Sequence, residues 1–369
     1  MKTSEPLISI VVPIYNASNY ILNLISDIQG QTYFNWELLL IDDGSQDDSY
    51  NICKNASTHD IRIKVFHQEN QGPSAARNLG IDKASGEWIT FIDADDRIFD
   101  DFLSSIVAVS HGETEIDLIY AGYIVATSTS NDVYTYNTKV YYGYEEVKKL
   151  ISTSNILHRC SPWGKLFRRN LMIENNIKFD VDLTHSEDRL FLYNYLVYVR
   201  GIATTSVIGY LYDSTQAGTL KNQKLSVESV SLRQLRLTAA AHTLIEFFKL
   251  EGEACFPIAK HLFQMYSKAI QDLYYANGFC KKTVLLQEEF SDNFFDLDLL
   301  SEINNNEKWK YLMSENIMMR YAIDRRFQKI NLKLSIIELK IFIYRNLMKF
   351  LRNKRCSKNI SSVVHILNN

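Results

Sequence analysis

Glycine, proline and cysteine are all scarce, at 14, 5 and 5 residues in a chain of 369. Beside 46% hydrophobic residues, that scarcity excludes collagen-like, low-complexity and disordered classes. At roughly 100 to 200 residues per domain the length leaves room for about two domains. The cysteines (Cys53, Cys160, Cys255, Cys280, Cys356) are odd in number and widely scattered, with no C-x-x-C pair and no close His to complete a zinc site. Free thiols in a reducing compartment are expected. No window offers about 18 uncharged apolar residues, so no segment is expected to span a bilayer. The first apolar run is too short for a signal core and is interrupted by Pro13, which predicts a cytoplasmic protein. No glycine occurs between Met1 and Gln29, so the G-x-G-x-x-G of a dinucleotide-binding domain is missing from the first turn and a hydride-transfer enzyme is disfavoured. The absence of G-x-x-x-x-G-K-[ST] disfavours a P-loop NTPase in the same way.

What the chain does have is alternation. Short runs rich in β-branched residues (Leu7–Val12, Trp36–Ile41, Ile61–Phe66, Trp88–Ile92) alternate with stretches of helical period near 18–29, 47–56, 73–84 and 100–109. The pattern predicts an α/β fold with a mainly parallel, doubly wound sheet, in which ligands bind beyond the carboxyl ends of the strands. Ile116–Ile124 and Val133–Tyr142 read as further strands. From about 225 onward the period is almost wholly helical. The predicted division is an α/β domain over 1–220 and a helical C-terminal region over 221–369.

After the first strand come Pro13-Ile14-Tyr15-Asn16, after the second Asp42-Asp43-Gly44-Ser45, and after the fourth Asp93-Ala94-Asp95-Asp96. Five carboxylates thus converge on one rim. Like charges held together call for a cation, and hard oxygen ligands point to Mg²⁺ or Mn²⁺. A metal with open positions suits a diphosphate, to which Arg77, in Gly72-Pro73-Ser74-Ala75-Ala76-Arg77-Asn78, would add a second positive charge. The structural alternative is that Asp42, Asp43 and Asp47 are caps and turn residues.

These motifs, with Gln31-Thr32 leading to Glu37-Leu38 and Phe91-Ile92 preceding Asp93, together resemble the family 2 glycosyltransferases of the GT-A fold, over roughly residues 7–215. The resemblance implies a nucleotide-sugar donor, UDP for preference. Pro13, Tyr15 and Asp43 would be on the base, Asp93 and Asp95 on ribose and metal, and Arg77 on the phosphate side. Asp95 and Asp96 are alternative metal ligands. Ser186-Glu187-Asp188-Arg189-Leu190-Phe191 opens an amphipathic helix and resembles the family's Glu-Asp signature, which makes Asp188 the candidate base and Glu187 its neighbour. Acidic residues in a first helical turn are also favoured by the macrodipole alone. Pro162-Trp163-Gly164-Lys165-Leu166-Phe167 looks like the family's Trp-x-Lys-Leu-Phe segment, giving Trp163 and Lys165 as acceptor contacts or, equally, a core Trp. Where relatives carry Tyr-x-Tyr-Arg, this chain has Tyr210-Leu211-Tyr212-Asp213, with Lys221 or Lys224 as a substitute cation. The implied acceptor is a saccharide or lipid-linked saccharide, the implied setting bacterial surface polysaccharide, and the implied outcome inversion.

Net charge is −3 overall, yet residues 320–369 hold twelve Lys or Arg against only Asp324 and Glu338, a local balance of +10. Leu334, Ile337, Ile341, Tyr344, Met348 and Leu351 repeat at helical steps, with Arg345, Lys349 and Arg352 on another face. Such a helix docks on its own domain, pairs with a second copy of the chain, or lies on an anionic membrane surface. Nucleic acid is disfavoured, since no aromatic-rich basic strand or helix-turn-helix signature accompanies the charge. Two rival functions stand beside the transferase. A nucleotidyltransferase should carry a Gly-rich basic loop where Pro13-Ile14-Tyr15-Asn16 stands, and a non-catalytic binding partner would not need Asp93, Asp95 and Asp188 intact.

Overall fold

The computed structural model describes residues 5–110, 115–215 and 227–255, with Pro257, Ile258 and Leu262, all within one compact unit, Met1–Thr283. The basic tail, Lys221, Lys224 and the expected boundary at 220/221 lie outside the described residues. No helix among the described residues is long and apolar enough to cross a membrane.

The alternation predicted from sequence is realised as β1 (Ile8–Ile14), α1 (Ile21–Gln29), β2 (Trp36–Asp43), α2 (Ser49–His59), β3 (Ile63–Gln68), α3 (Pro73–Lys83) and β4 (Trp88–Phe91). There follow β5 (Arg97–Ile98), α4 (Phe102–Ser110), β6 (Leu118–Ala126), β7 (Asn131–Tyr134), β8 (Lys139–Tyr142) and α5 (Tyr144–Thr153). Next come β9 (Lys165–Arg168), α6 (Arg169–Glu174), α7 (Glu187–Leu196), β10 (Gly201–Asp213) and α8 (Val227–Phe247). The strands form one sheet in the order β3-β2-β1-β4-β9-β6-β10-β5, with β7 on β6 and β8 on β10.

The parallel expectation describes the β3-β2-β1-β4 half. Beyond β4 the sheet is mixed, because β9 inserts antiparallel to both β4 and β6 while β6 and β10 run parallel. The stretch Val133–Tyr142, expected as a single strand, is two: β7 pairs with β6 and β8 with β10, and residues 135–138 turn between them.

Ile21, Leu24, Ile25 and Ile28 fall on one face of α1 at three- and four-residue steps and bury against the alternate residues Ile8, Ile10 and Val12 of β1. On the opposite face, α3 lies so close to β1 that a Cβ at Gly80 would stand 2.2 Å from Val11 Cγ1. Only glycine allows that approach.

Polar residues of the motifs also hold the frame. Glu37 is buried and accepts from Ser9 Oγ (2.6 Å), Lys64 Nζ (2.7 Å), Ser85 N (2.6 Å) and Ser85 Oγ (2.8 Å). Burial alone would raise its pKa, but these donors outweigh it and hold the carboxyl down at about 2. Gln31 donates to Phe99 O (2.8 Å) and accepts from Leu103 N (3.0 Å), fastening α1 to the chain that leaves β4.

α8 packs on α7. Arg236 of α8 pairs with Asp180 and with Asp182 (2.8 Å), pinning the loop that leads into α7.

Candidate active site

The carboxyl ends of β1 and β2 are laced together by short polar bonds. Asn16, in a left-handed conformation (φ 51°), donates its N–H to Ser45 Oγ (3.0 Å) and accepts from Gln46 N (2.8 Å). Asp47 accepts from Ser18 N (3.0 Å), Ser49 N (3.0 Å) and Ser49 Oγ (2.5 Å). These bonds overcome burial and hold its carboxyl at about 2, so Asp47 is a loop fastener. Asp42 is fully buried, its Oδ2 2.6 Å from His67 Nδ1, while its Oδ1 has no partner among the described residues.

Asp43 accepts from Gln68 Nε2 (2.7 Å), Gln71 N (2.9 Å) and Gly72 N (2.8 Å). Three of its roughly four acceptor positions are thereby filled. The residue shapes the Gln71-Gly72 turn, where Gly72 takes φ 89°, ahead of α3. Pro13 and Tyr15 sit half-buried at the end of β1. Pro13 is tolerated because β4 pairs with β1 only as far as Val11, so the missing N–H removes no ladder bond on that side.

Arg77 gathers the rest. Its guanidinium is 2.9 Å from Asp93 Oδ1 through Nη2, and 3.4 Å from Asp188 Oδ1 and 3.8 Å from Glu187 Oε1 through Nη1. The residue is 5% exposed, and its Nε has no partner among the described residues. The cation thus faces three carboxylates, Asp93 after β4 and Glu187 and Asp188 of α7, and ties these two segments together.

Phe179 floors this arrangement, 5.3 Å from the guanidinium carbon and stacked on Phe191 at 4.0 Å. Asn78 fixes it, donating to Phe179 O and accepting from Phe179 N, both at 2.8 Å. Phe179 was not flagged by the sequence, in which it lies 101 residues beyond its anchor.

Asp188 stands at the start of α7, after Ser186 in the left-handed region (φ 68°), a conformation that costs a non-glycine residue energy and clusters at functional sites. Its side chain is 27% exposed. Burial pushes its carboxyl up to about 7, Arg77 opposing and Glu187 and Asp93 adding to the rise. A carboxylate so placed is reachable and close to the ideal of a general base at neutral pH.

At the end of β4 the three aspartates part company. Asp93 holds Arg77, and Asp95 is half-buried on the rim. Asp96 points inward at 1% exposure, accepting from Tyr210 Oη (2.5 Å) and from Asp213 N (3.1 Å). Burial and the Asp93 charge raise its pKa to about 8. Both oxygens of Asp96 thus accept from β10. Tyr210 also accepts from Asp93 N (3.2 Å), so one phenol supports both flanks of Asp95. The sequence carried a signal for it, the alternating Tyr210 and Tyr212 of a strand, but not the 114-residue span to its partner.

Trp163 and Lys165, expected as acceptor contacts or as a core Trp, are both buried. Trp163 is 8% exposed, nearly parallel to Tyr210 (4.8 Å) and Tyr212 (5.4 Å) and edge-on to Tyr123 (4.9 Å). Lys165 is 3% exposed and donates to Ser161 O (2.6 Å) and Trp163 O (3.4 Å). Burial pulls its pKa down to about 7. Lys165 nonetheless lies near enough to Asp188 for the two charges to act on each other.

Among the described residues no group of three or more His, Cys, Asp or Glu could hold a metal ion alone. The donor set fits a different arrangement, in which one or two carboxylates and the substrate's phosphates share a hard cation that keeps several waters.

The profile of the family described as "Glycosyl transferase family 2" matches residues 9–175. The putative glycosyltransferase EpsH of Bacillus subtilis is 32% identical over 210 residues, 56% of this chain and 60% of that protein. Glycosyltransferase GlyG of Streptococcus pneumoniae is 38% identical over 195 residues, 48% of this chain and 63% of its own length. The chain thus spans less than two thirds of either relative. The crystal structure of S. aureus TarS 1-349 shares the fold at TM-score 0.58 and 22% identity, covering 78% of this chain and 79% of that one. Residues 9–175, which carry Arg77 and the aspartates that follow β4, thus match glycosyl transferase family 2, on a fold shared with TarS.

Proposed function

We propose that the chain transfers a sugar from a nucleoside-diphosphate donor, UDP for preference, to a hydroxyl of a saccharide or lipid-linked saccharide, with inversion, in the making of a surface polysaccharide at the inner face of the membrane. The observation that carries this reading is the Arg77 cluster, which sets a reachable carboxylate at Asp188 beside the donor-side aspartate Asp93. The choice of UDP is supported by TarS, whose fold is shared and whose crystal structures include complexes with UDP-GlcNAc and with UDP.

In this mechanism Pro13, Tyr15 and the turn shaped by Asp43 flank the base. Asp93, held by Arg77, and Asp95 face the ribose and diphosphate. Asp95, with the two phosphates, would hold Mg²⁺ or Mn²⁺, which supplies positive charge to the departing diphosphate. Asp188 takes the proton of the acceptor hydroxyl as it attacks the anomeric carbon, and Arg77 stabilises Asp188 before that transfer. Glu187 shares the guanidinium and orients the first turn of α7. No protein carboxylate forms a bond to the sugar, so an α-linked donor yields a β-linked product.

The division at residue 220, the cytoplasmic location, and the tail's docking on a membrane, a second copy or its own domain belong to the same proposal. Incubation with a panel of nucleotide-sugars and Mn²⁺, with and without chelator, followed by NMR of the anomeric signal, tests it. Metal-dependent turnover with an inverted product is expected. Retention, or binding of no nucleotide-sugar, overturns the reading.

A further inference from the structure

A group of side chains around Arg159 is left unused by the mechanism above. Arg159 is half-buried, and its guanidinium carbon sits over three tyrosine rings: Tyr136 at 4.6 Å, Tyr134 at 5.0 Å and Tyr123 at 5.6 Å. Its Nη1 is shut off from solvent with no hydrogen-bond partner among the described residues. Another part of the guanidinium hydrogen-bonds Tyr136, which leaves Nη1 as an orphaned buried donor that asks for an acceptor.

The group is joined to the site on two sides. Tyr123 meets Trp163 edge-on at 4.9 Å, and Trp163 lies parallel to Tyr210, whose hydroxyl contacts Asp93 N and Asp96. On the other side Cys160, next in sequence to Arg159, is 3.0 Å from Arg189 Nη2, next in sequence to Asp188. All three tyrosines are only half-buried.

Resting on the transferase reading, the geometry points to an acceptor subsite in which Arg159, Tyr123, Tyr134 and Tyr136 hold a phosphate group carried by the saccharide acceptor. Aromatic faces suit sugar rings, and the guanidinium edge with phenol hydroxyls gives a set of donors matched to a phosphate's several oxygens better than to the two of a carboxylate. The phosphate has two sources, the diphosphate of a lipid-linked saccharide or the phosphodiester of a polyol-phosphate chain.

The test is calorimetric titration of the full-length protein, saturated with UDP and Mn²⁺, with four probes: an alkyl-diphosphate disaccharide, a glycerol-phosphate oligomer, a neutral alkyl disaccharide and a glucuronate-bearing disaccharide. One phosphate-bearing probe should bind at least tenfold tighter than the neutral one, and which one does so identifies the source. Arg159→Gln should erase that preference, with about a tenfold to hundredfold loss on the phosphate probe and less than twofold on the neutral one. Should Arg159→Gln fail to fold by circular dichroism, Arg159→Lys and Tyr136→Phe take its place, each with a smaller loss confined to the phosphate probe. No preference for phosphate in the wild type, equal binding of the glucuronate probe, or an unchanged ratio in the folded variants overturns the subsite. UDP affinity, measured first and separately, reports on the transferase reading: its absence sinks that reading, whereas UDP binding with no phosphate preference sinks the subsite alone.

Discussion

The two rims of the cleft treat their carboxylates in opposite ways. On the β1–β2 side, Asp43 and Asp47 are bonded by backbone amides and neighbouring side chains, and Asp47 is held near the bottom of the carboxylate range. On the α7 side, Asp188 has the distant Nη1 of Arg77 at 3.4 Å and a pKa pushed up to about 7. Donors that saturate a carboxylate make it a strut. A carboxylate that is buried but under-supplied remains basic, and basicity is what proton transfer needs.

The sharpest way to break this contrast is Asp188→Asn. Transfer should fall by roughly 10²- to 10⁴-fold, with donor affinity unchanged in a titration of the nucleotide-sugar. In the wild type, kcat should fall as pH drops through about 7, because the protonated carboxyl cannot accept a proton. A pH-independent rate between 5 and 8 would count against Asp188 as base.

Arg77→Met comes next, since it leaves Asp93, Glu187 and Asp188 facing one another without compensation. Breaking a buried pair this way costs about 3 to 5 kcal/mol. Chemical denaturation should show a midpoint shift of that size, beyond any effect of mutating Asp43.

On the donor side, Glu37 offers an acid test. Its folded pKa lies below the model-peptide value, so its stabilisation is complete above about pH 4.5 and is lost as pH falls toward about 2. Glu37→Gln should flatten stability across that window, worth about 3 kcal/mol at neutral pH. The gap in denaturation midpoint between wild type and variant should then be wide at pH 6 and narrower at pH 3.

Tyr210→Phe should have the smallest effect. It deprives Asp96 of one donor and Asp93 N of an acceptor, at about 1 to 3 kcal/mol. A larger loss of donor affinity than of stability would show that Tyr210 positions Asp95 as well as bracing the fold.

Much of this was legible in one dimension. The strand–helix alternation and the rule that loops after parallel strands carry chemistry located Asp43, Asp93 and Asp95, and the acidic opening of an amphipathic helix located Asp188. What the sequence could not show is which way a side chain turns. Asp95 and Asp96 are neighbours, yet one stands on the rim and the other is claimed by Tyr210 and Asp213. Trp163 and Lys165 sit in a motif that suggests contact with ligand, but Trp163 is stacked on Tyr210 and Tyr212 and Lys165 is buried at the start of β9. Arg77 was placed on the phosphate side by its motif, and its three carboxylate neighbours, 16 to 111 residues away, were not visible there.

The contact of Gly80 with Val11 carries a last consequence. Gly80 is one helical turn from Arg77 and touches no substrate in any reading of the site, yet a single added methyl would wedge α3 away from the sheet and swing the guanidinium off its carboxylates. The setting of Arg77 is thus gauged by a bare spot on a helix, and Gly80→Ala should abolish the proposed transfer from a position where a search for ligand contacts would find nothing.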